Sequence, residues 1–301
     1  MTDKYAVVGN PVAHSLSPKI HAAFGDQTGE DVSYGKILAP LDDFKATVLK
    51  FRDEGGKGLN VTLPFKLEAW RLAGRNVSVR ANAARAVNTL KFNGNAAYGD
   101  NTDGIGLIRD LKDNLRSSLE RSRILLVGAG GAARGVLLPL LLEQPDRLVI
   151  VNRTVSKAEE LKRLPDELTS GDWDRLIAEH RQVAGFRGLE KAATRIDSCG
   201  YDGLVGDRFD FVINATSLGL RDECPPLPGG IFAPRALAYD MMYGKEPTPF
   251  LKFAQAHGAA RGADGLGMLV EQAAESFFIW RRGVRPVTAP VIALLKAQGK
   301  Q

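Results

Sequence analysis

Ile124-Leu125-Leu126-Val127-Gly128-Ala129-Gly130-Gly131-Ala132-Ala133 decides the architecture. Its four leading apolar residues show no polar alternation, so they predict a strand covered on both faces, the habit of parallel sheets. A G-x-G-x-x-A turn follows and then a helix from about Ala132 to Glu143. Gly128 permits the tight turn, Gly130 lets a pyrophosphate approach the backbone, and Ala133 keeps helix and strand close. Downstream, Leu148–Val151 reads as a strand and Val155–Leu161 as a helix. Phe209–Asn214 and Leu237–Met241 read as further strands. This β-α-β alternation predicts an α/β protein with a doubly wound parallel sheet of Rossmann type. Pro139, inside the first of these helices, predicts a kink.

The strand after the glycine turn ends in Asn152-Arg153-Thr154, with Lys157 a turn later. A site for NAD places a carboxylate here to hold the ribose 2′-hydroxyl. A carboxylate would repel a 2′-phosphate, whereas a guanidinium binds it with charge-assisted hydrogen bonds. Arg153 and Lys157 could be ordinary surface charges, but the missing acid and the added bases coincide at the one diagnostic position. The expected cofactor is therefore NADP.

Upstream, short apolar runs alternate with amphipathic segments. Strands are expected at Tyr5–Val8, Val32–Leu38 and Gly58–Thr62, and helices from Ser17, Phe44 and Leu63-Pro64. Ser17 followed by Pro18 suggests a Ser N-cap with proline at the first helical position. Val87–Phe92 and Asn95–Gly99, joined at Asn93-Gly94, suggest a hairpin with a type I′ turn and hence a mixed sheet. Helical periodicity returns over Gly267–Arg282 and Pro290–Lys296. Between Leu161 and Phe209 lies a polar stretch holding Trp173, Gly185, Gly188, Cys199 and Gly200. One helix around Asp172–His180 and at least one strand are expected there.

The 301 residues suit one or two domains, and 44% hydrophobic with 25% charged residues suits an ordinary globular chain. The net charge is +5 and the basic residues are scattered without interleaved aromatics, which argues against a nucleic-acid partner. The run from Val136 to Leu142 is too short to cross a membrane, and Tyr5–Val8 is too short for a secretory h-region. Two cysteines, Cys199 and Cys224, exclude a disulfide scaffold and suit a reducing cytoplasm. None of the four histidines sits at metal-ligand spacing, so no metal is expected. His14, next to the serines, could line a pocket but is expected to be structural, His21 lies on the first helix, and His180 and His257 are expected to lie on the surface.

Single polar residues in the first half each have a bland reading: Ser17 and Asp103 as helix caps, Asn88 in a turn, Lys66 as a solvated lysine. Their arrangement is more specific. G-N-P-V-A-H-S-L-S-P (9–18), N-V-T-L-P-F-K (60–66), A-V-N-T-L (86–90) and D-N-T-D-G (100–104) are followed by the glycine turn, N-R-T, N-A-T-S-L-G (214–219) and D-G-L-G-M-L-V-E-Q-A-A (264–274). The series, running from Val7 to about Phe278 and omitting only the polar stretch, resembles shikimate dehydrogenase.

That resemblance implies a reversible NADP-linked reduction of 3-dehydroshikimate to shikimate, on the path to aromatic amino acids. It implies a substrate-binding α/β domain of residues 1–103 and 266–301, with a mixed sheet and C-terminal helices that return to it. Residues 104–265 would form the NADP-binding Rossmann domain, with the active site between the two. It implies Lys66 and Asp103 as the catalytic pair and Ser15 and Ser17 as carboxylate ligands. Asn60, Thr62, Asn88, Tyr243 and Gln272 would contact the hydroxyls or the carboxylate. Gly128, Ala129, Gly130, Gly131, Ala132, Asn152, Arg153, Thr154, Lys157 and Thr216 would hold the cofactor, with Met241 and Gly265 near the nicotinamide.

The residues support these roles on chemical grounds. Serine hydroxyls at a helix start suit an anion. Hydride addition to a ketone puts negative charge on oxygen, which Lys66, held charged by Asp103, could meet as a cationic donor. The chain is expected to work as a cytoplasmic monomer or homodimer. A degradative quinate/shikimate dehydrogenase would more often use NAD, against Arg153. A non-catalytic NADP-binding regulator would have no reason to keep both Lys66 and Asp103. The polar stretch is longer than the family pattern and is expected to be a surface insertion on the adenosine side.

Overall fold

The computed structural model describes residues 2–184 and 194–299, which leaves Gly185 and Gly188 outside the described residues. The first half comprises β1 (Asp3–Gly9), α1 (Ser17–Thr28), β2 (Val32–Leu38), α2 (Phe44–Asp53), β3 (Gly56–Val61), α3 (Lys66–Ala73), α4 (Val79–Ala84), β4 (Thr89–Asn93) and β5 (Ala96–Asp100). They build a mixed sheet in the order β2-β1-β3-β4-β5. β1 pairs parallel with β2 and β3, while β4 joins β3 and β5 antiparallel. The hairpin turn is Gly94-Asn95, one residue later than expected, because Asn93 pairs with Ala96. Only Gly94 takes positive φ, so the turn belongs to the II′ class and not to I′.

α5 (Asp103–Arg109) crosses into the second half and runs on as a π turn over Asp110–Asn114. There β6 (Arg123–Val127), α6 (Gly131–Leu142), β7 (Arg147–Val151), α7 (Val155–Arg163), α8 (Ser170–Ala184), β8 (Arg195–Cys199), β9 (Phe209–Asn214), β10 (Phe232–Asp240), α9 (Pro249–Ala256) and β11 (Arg261–Ala263) follow. The second sheet has the order β11-β10-β9-β6-β7-β8 and is parallel throughout. Strand order reverses between β6 and β9, and ligands bind at such a switch point, beyond the carboxyl ends of the strands. α10 (Leu266–Trp280) then returns to the first sheet, where the Trp280 indole donates to the Leu90 carbonyl at 2.9 Å. α11 (Ala289–Gly299) packs behind it, in a core with Ile20, Phe24 and Phe277.

α6 is apolar on nearly every face because most of it is buried, with the half-buried Arg134 as its one charged residue. It continues through Pro139, and α5 crosses it closely at Gly104. A Cβ there would lie 2.2 Å from Pro139 Cγ and 2.7 Å from the Gly135 carbonyl oxygen, which lacks the N–H that proline cannot supply.

Four further expectations need correction. Leu16, not Ser17, holds the N-cap position of α1, and no side chain caps it, so Ser17 is the first helical residue. The helix expected from Leu63-Pro64 begins at Lys66. His180 is buried, with Nε2 2.8 Å from Glu143 Oε1. The polar stretch is likewise no surface appendage: Leu176 is buried, and Trp173 and Ile177 pack on the same core as α6 and Ala83 of α4. Amphipathic spacing hid this, because the apolar face of α8 is narrow among many charges.

Candidate active site

A cleft of about 740 Å³ runs between the two sheets, and all the nominated residues line it. The first residues of four helices reach it: Ser17 of α1, Lys66 of α3, Asp103 of α5 and Gly131 of α6. The positive ends of their dipoles therefore converge, which suits anionic ligands.

Near the middle of the cleft, Lys66 Nζ lies 2.5 Å from Asp103 Oδ2, and the two side chains are 13% and 8% exposed. The bland readings fail here: Lys66 is not a solvated lysine, and Asp103 caps nothing, since Thr102 occupies that position. Asp103 Oδ1 accepts from Asn88 Nδ2 at 2.8 Å, and the Asp103 N–H donates to Asn101 Oδ1 at 3.1 Å. Asn88 also donates to Thr102 Oγ1 at 2.9 Å, and its Oδ1 accepts the Thr102 N–H at 2.9 Å. A salt bridge this buried repays its desolvation only with such added hydrogen bonds. The preceding strand end is anchored too, by Arg80 on Asp100 at 2.7 Å. Burial works against the Arg80 charge, but Asp100 and Glu275 outweigh it and push its pKa up.

The substrate side is hydrogen-bonded throughout. Ser15 Oγ donates to Ser17 Oγ at 3.1 Å. Ser17 caps no N–H of α1 and lines the cleft beside Ser15. Asn60 Nδ2 donates to Ser276 Oγ at 3.0 Å, and Gln272 Oε1 accepts from Thr102 Oγ1 at 3.2 Å. Thr62 follows β3, and burial pushes the Tyr243 phenol up.

On the other side, Gly128 takes φ +109°, and a Cβ there would also meet Thr216 and Ala215. A Cβ at Gly130 would meet nothing within 4 Å, which leaves an open cradle in front of the α6 N-terminus. Asn152 Nδ2 donates to the Thr154 carbonyl at 2.9 Å, so the strand end carries an amide turned onto its own loop and no acid. Arg153 and Lys157 line the cleft, are exposed and have no carboxylate partner among the described residues. This donor set fits a dinucleotide with a 2′-phosphate. Met241 and Gly265 close the inner end.

Sequence reasoning missed part of the wall. His14 lines the cleft from an exposed position and is not a structural residue. Tyr201, Arg221, Glu223 and Cys224 line the adenosine end. Burial pushes the Tyr201 phenol up, against the pull of Arg153 beside it. Tyr201 follows β8 in the polar stretch, where no periodicity marked it. Arg221 was within reach, because it lies two residues beyond N-A-T-S-L-G. No group of three His, Cys, Asp or Glu among the described residues is placed to hold a metal, and no helix among them is long and apolar enough to cross a membrane.

The shikimate dehydrogenase substrate binding domain model matches residues 7–90. The shikimate / quinate 5-dehydrogenase model matches 110–176, and the shikimate 5′-dehydrogenase C-terminal domain model matches 265–296. Shikimate dehydrogenase (NADP(+)) of Nitrosospira multiformis is 56% identical over 297 residues, covering 99% of this chain and 98% of its own. Among solved structures, an Ael1 enzyme from Pseudomonas putida superposes with a TM-score of 0.81 at 47% identity, covering 98% of each chain. Shikimate 5-dehydrogenase from Thermus thermophilus, in complex with NADP(H) and shikimate, superposes at 0.77 with 28% identity, covering 99% of this chain and 100% of its own.

Proposed function

The chain belongs to the shikimate dehydrogenase family, and we propose that it reduces 3-dehydroshikimate reversibly to shikimate with NADP as cofactor, in aromatic amino-acid biosynthesis, with Lys66 and Asp103 as its catalytic pair. The observation that carries this reading is the Lys66–Asp103 contact of 2.5 Å in a cleft shared with the glycine turn and two cations that have no carboxylate partner among the described residues. Ser15 and Ser17 hold the substrate carboxylate, and Asn60, Thr62, Asn88, Tyr243 and Gln272 hold its remaining oxygens. Gly128–Ala132, Asn152, Arg153, Thr154, Lys157 and Thr216 hold the cofactor, with Met241 and Gly265 at the nicotinamide.

When bound, NADPH supplies the hydride. Lys66 supplies what the ketone oxygen then needs: its ammonium stabilises the developing alkoxide and passes a proton from Nζ to it. The neutral amine regains a proton from solvent through the open cleft. Asp103 pairs with Lys66 and orients it in the resting enzyme, and Asn88 fixes the carboxylate that does so. In the oxidative direction the same atoms run in reverse.

Residues 1–103 with 266–301 form the substrate half and 104–265 the cofactor half, a division supported by the two separate sheets, β1–β5 and β6–β11. Two free cysteines support a cytoplasmic location. Both catalytic residues belong to one chain, so the pair forms alike in a monomer or in a homodimer. The test is the nicotinamide absorbance band with shikimate and either NADP or NAD, for the wild type and Lys66→Ala. The wild type should turn over with NADP and prefer it to NAD. Lys66→Ala should lose roughly 10²–10⁴ in kcat with KM for shikimate within a few-fold. Near-normal turnover by the variant would remove Lys66 from the mechanism.

A further inference from the structure

Tyr34 does not line the cleft, yet its phenol holds a residue that does. It sits at the middle of the edge strand β2, opposite Tyr5 of β1. Its Oη donates to Asn60 Oδ1 at 2.7 Å. Burial pushes the phenol's pKa well up, so Oη keeps the proton that this bond needs. The Asn88 carbonyl, which can only accept, takes Asn60 Nδ2 at 3.3 Å and fixes the same orientation of the amide from its other end.

The ring is held as firmly as the hydroxyl. His21 stacks on it at 4.2 Å with an interplanar angle of 6°, and Trp280 closes in at 6.2 Å. His21 is itself buried and its Nε2 has no hydrogen-bond partner, so it offers Tyr34 a neutral face.

We propose that Tyr34 is a positioning residue for substrate binding: its hydroxyl fixes the amide of Asn60 and so places the hydroxyl grip of the cleft. The inference rests on the shikimate reading above and deepens it. It assigns the outer edge of the first sheet a part in selecting polyhydroxylated ring acids.

Tyr34→Phe removes one oxygen and keeps the stack, and it leaves Asn60 Oδ1 without its donor. KM for shikimate should rise roughly tenfold, with kcat within threefold and KM for NADP unchanged. In an Asn60→Ala background the same substitution should change KM less than twofold further, because its effect acts through Asn60. Calorimetric titration with shikimate reads the grip independently of turnover and should show the same tenfold weakening. A KM and Kd for shikimate within twofold of wild type overturn the inference. So does a full additional tenfold in the double variant, or an equal rise for NADP, which would mark a general structural defect. A wild type that binds shikimate without oxidising it overturns the enzymatic reading alone, and the titration still decides Tyr34. A wild type that does neither overturns both.

Discussion

Arg153 shows how far one residue type at one position carries. A cation where NAD sites place an acid was legible from spacing alone, and it lies in the cleft with no carboxylate partner among the described residues. Arg153→Ala should remove a charge-assisted contact of about 1.5–3 kcal/mol. KM for NADP should then rise roughly one to two orders of magnitude while that for NAD barely moves; equal losses would make Arg153 structural. His21 was not legible, because its property comes from neighbours distant in sequence. Burial among Phe24, Tyr34, Phe277 and Trp280 lowers its pKa from 6.5 to about 3. Between those values the unfolded chain binds a proton that the folded chain refuses. Stability should therefore fall as pH drops through that window, by up to about 1.4 kcal/mol per pH unit. Denaturant titrations from pH 7 to pH 4 should show a flatter acid limb for His21→Phe than for the wild type. Parallel limbs would contradict it.

At the scale of elements, most strands were legible to within a residue or two, and Phe209–Asn214 fully so, whereas β10 begins at Phe232, five residues before the expected Leu237. The misplaced features were local choices between near-equal alternatives. Gly94 rather than Asn93 opens the hairpin because ladder register, invisible in one strand, decides it. Ser17 is drawn away from capping by its hydrogen bond with Ser15. The crossing of α5 and α6 tests whether an element contact governs the chemistry. A Cβ at Gly135 would lie 2.9 Å from Asn101 Oδ1 and 3.2 Å from Asp103 Oδ2. Asn101 cannot yield, because it is tied to the Ala86 carbonyl and the Asp103 N–H. Helix propensity favours Gly135→Ala by about 1 kcal/mol, but overpacking costs about 1–3 kcal/mol. The displacement falls on the catalytic carboxylate, so kcat should drop roughly tenfold or more with KM for NADP little changed. A variant with higher Tm and full kcat would show that the crossing has slack.

For the whole molecule, the two sheets and the cleft between them followed from motif order, whereas the part played by the polar stretch did not. Its helix α8 packs against α4 from the first half and against α5 and α6, so it joins both halves behind the cleft. Leu176, 3% exposed, is the centre of that contact. Leu176→Ala should cost about 2–5 kcal/mol in denaturant unfolding, against less than about 0.5 kcal/mol for a surface appendage. A change near zero would restore the appendage. α5 has the opposite kind of breadth. It carries Asp103 into the substrate side, lies on α6 of the cofactor side, and packs along α10, which returns to the first sheet. No cut through this helix leaves two self-sufficient pieces. Grafting a foreign cofactor half onto this substrate half would replace one face of α5 and orphan the other, whereas a change of cofactor at Arg153 and Lys157 leaves it untouched. Lineages carrying this fold should accordingly drift in cofactor preference by point substitution and inherit the two halves as one unit.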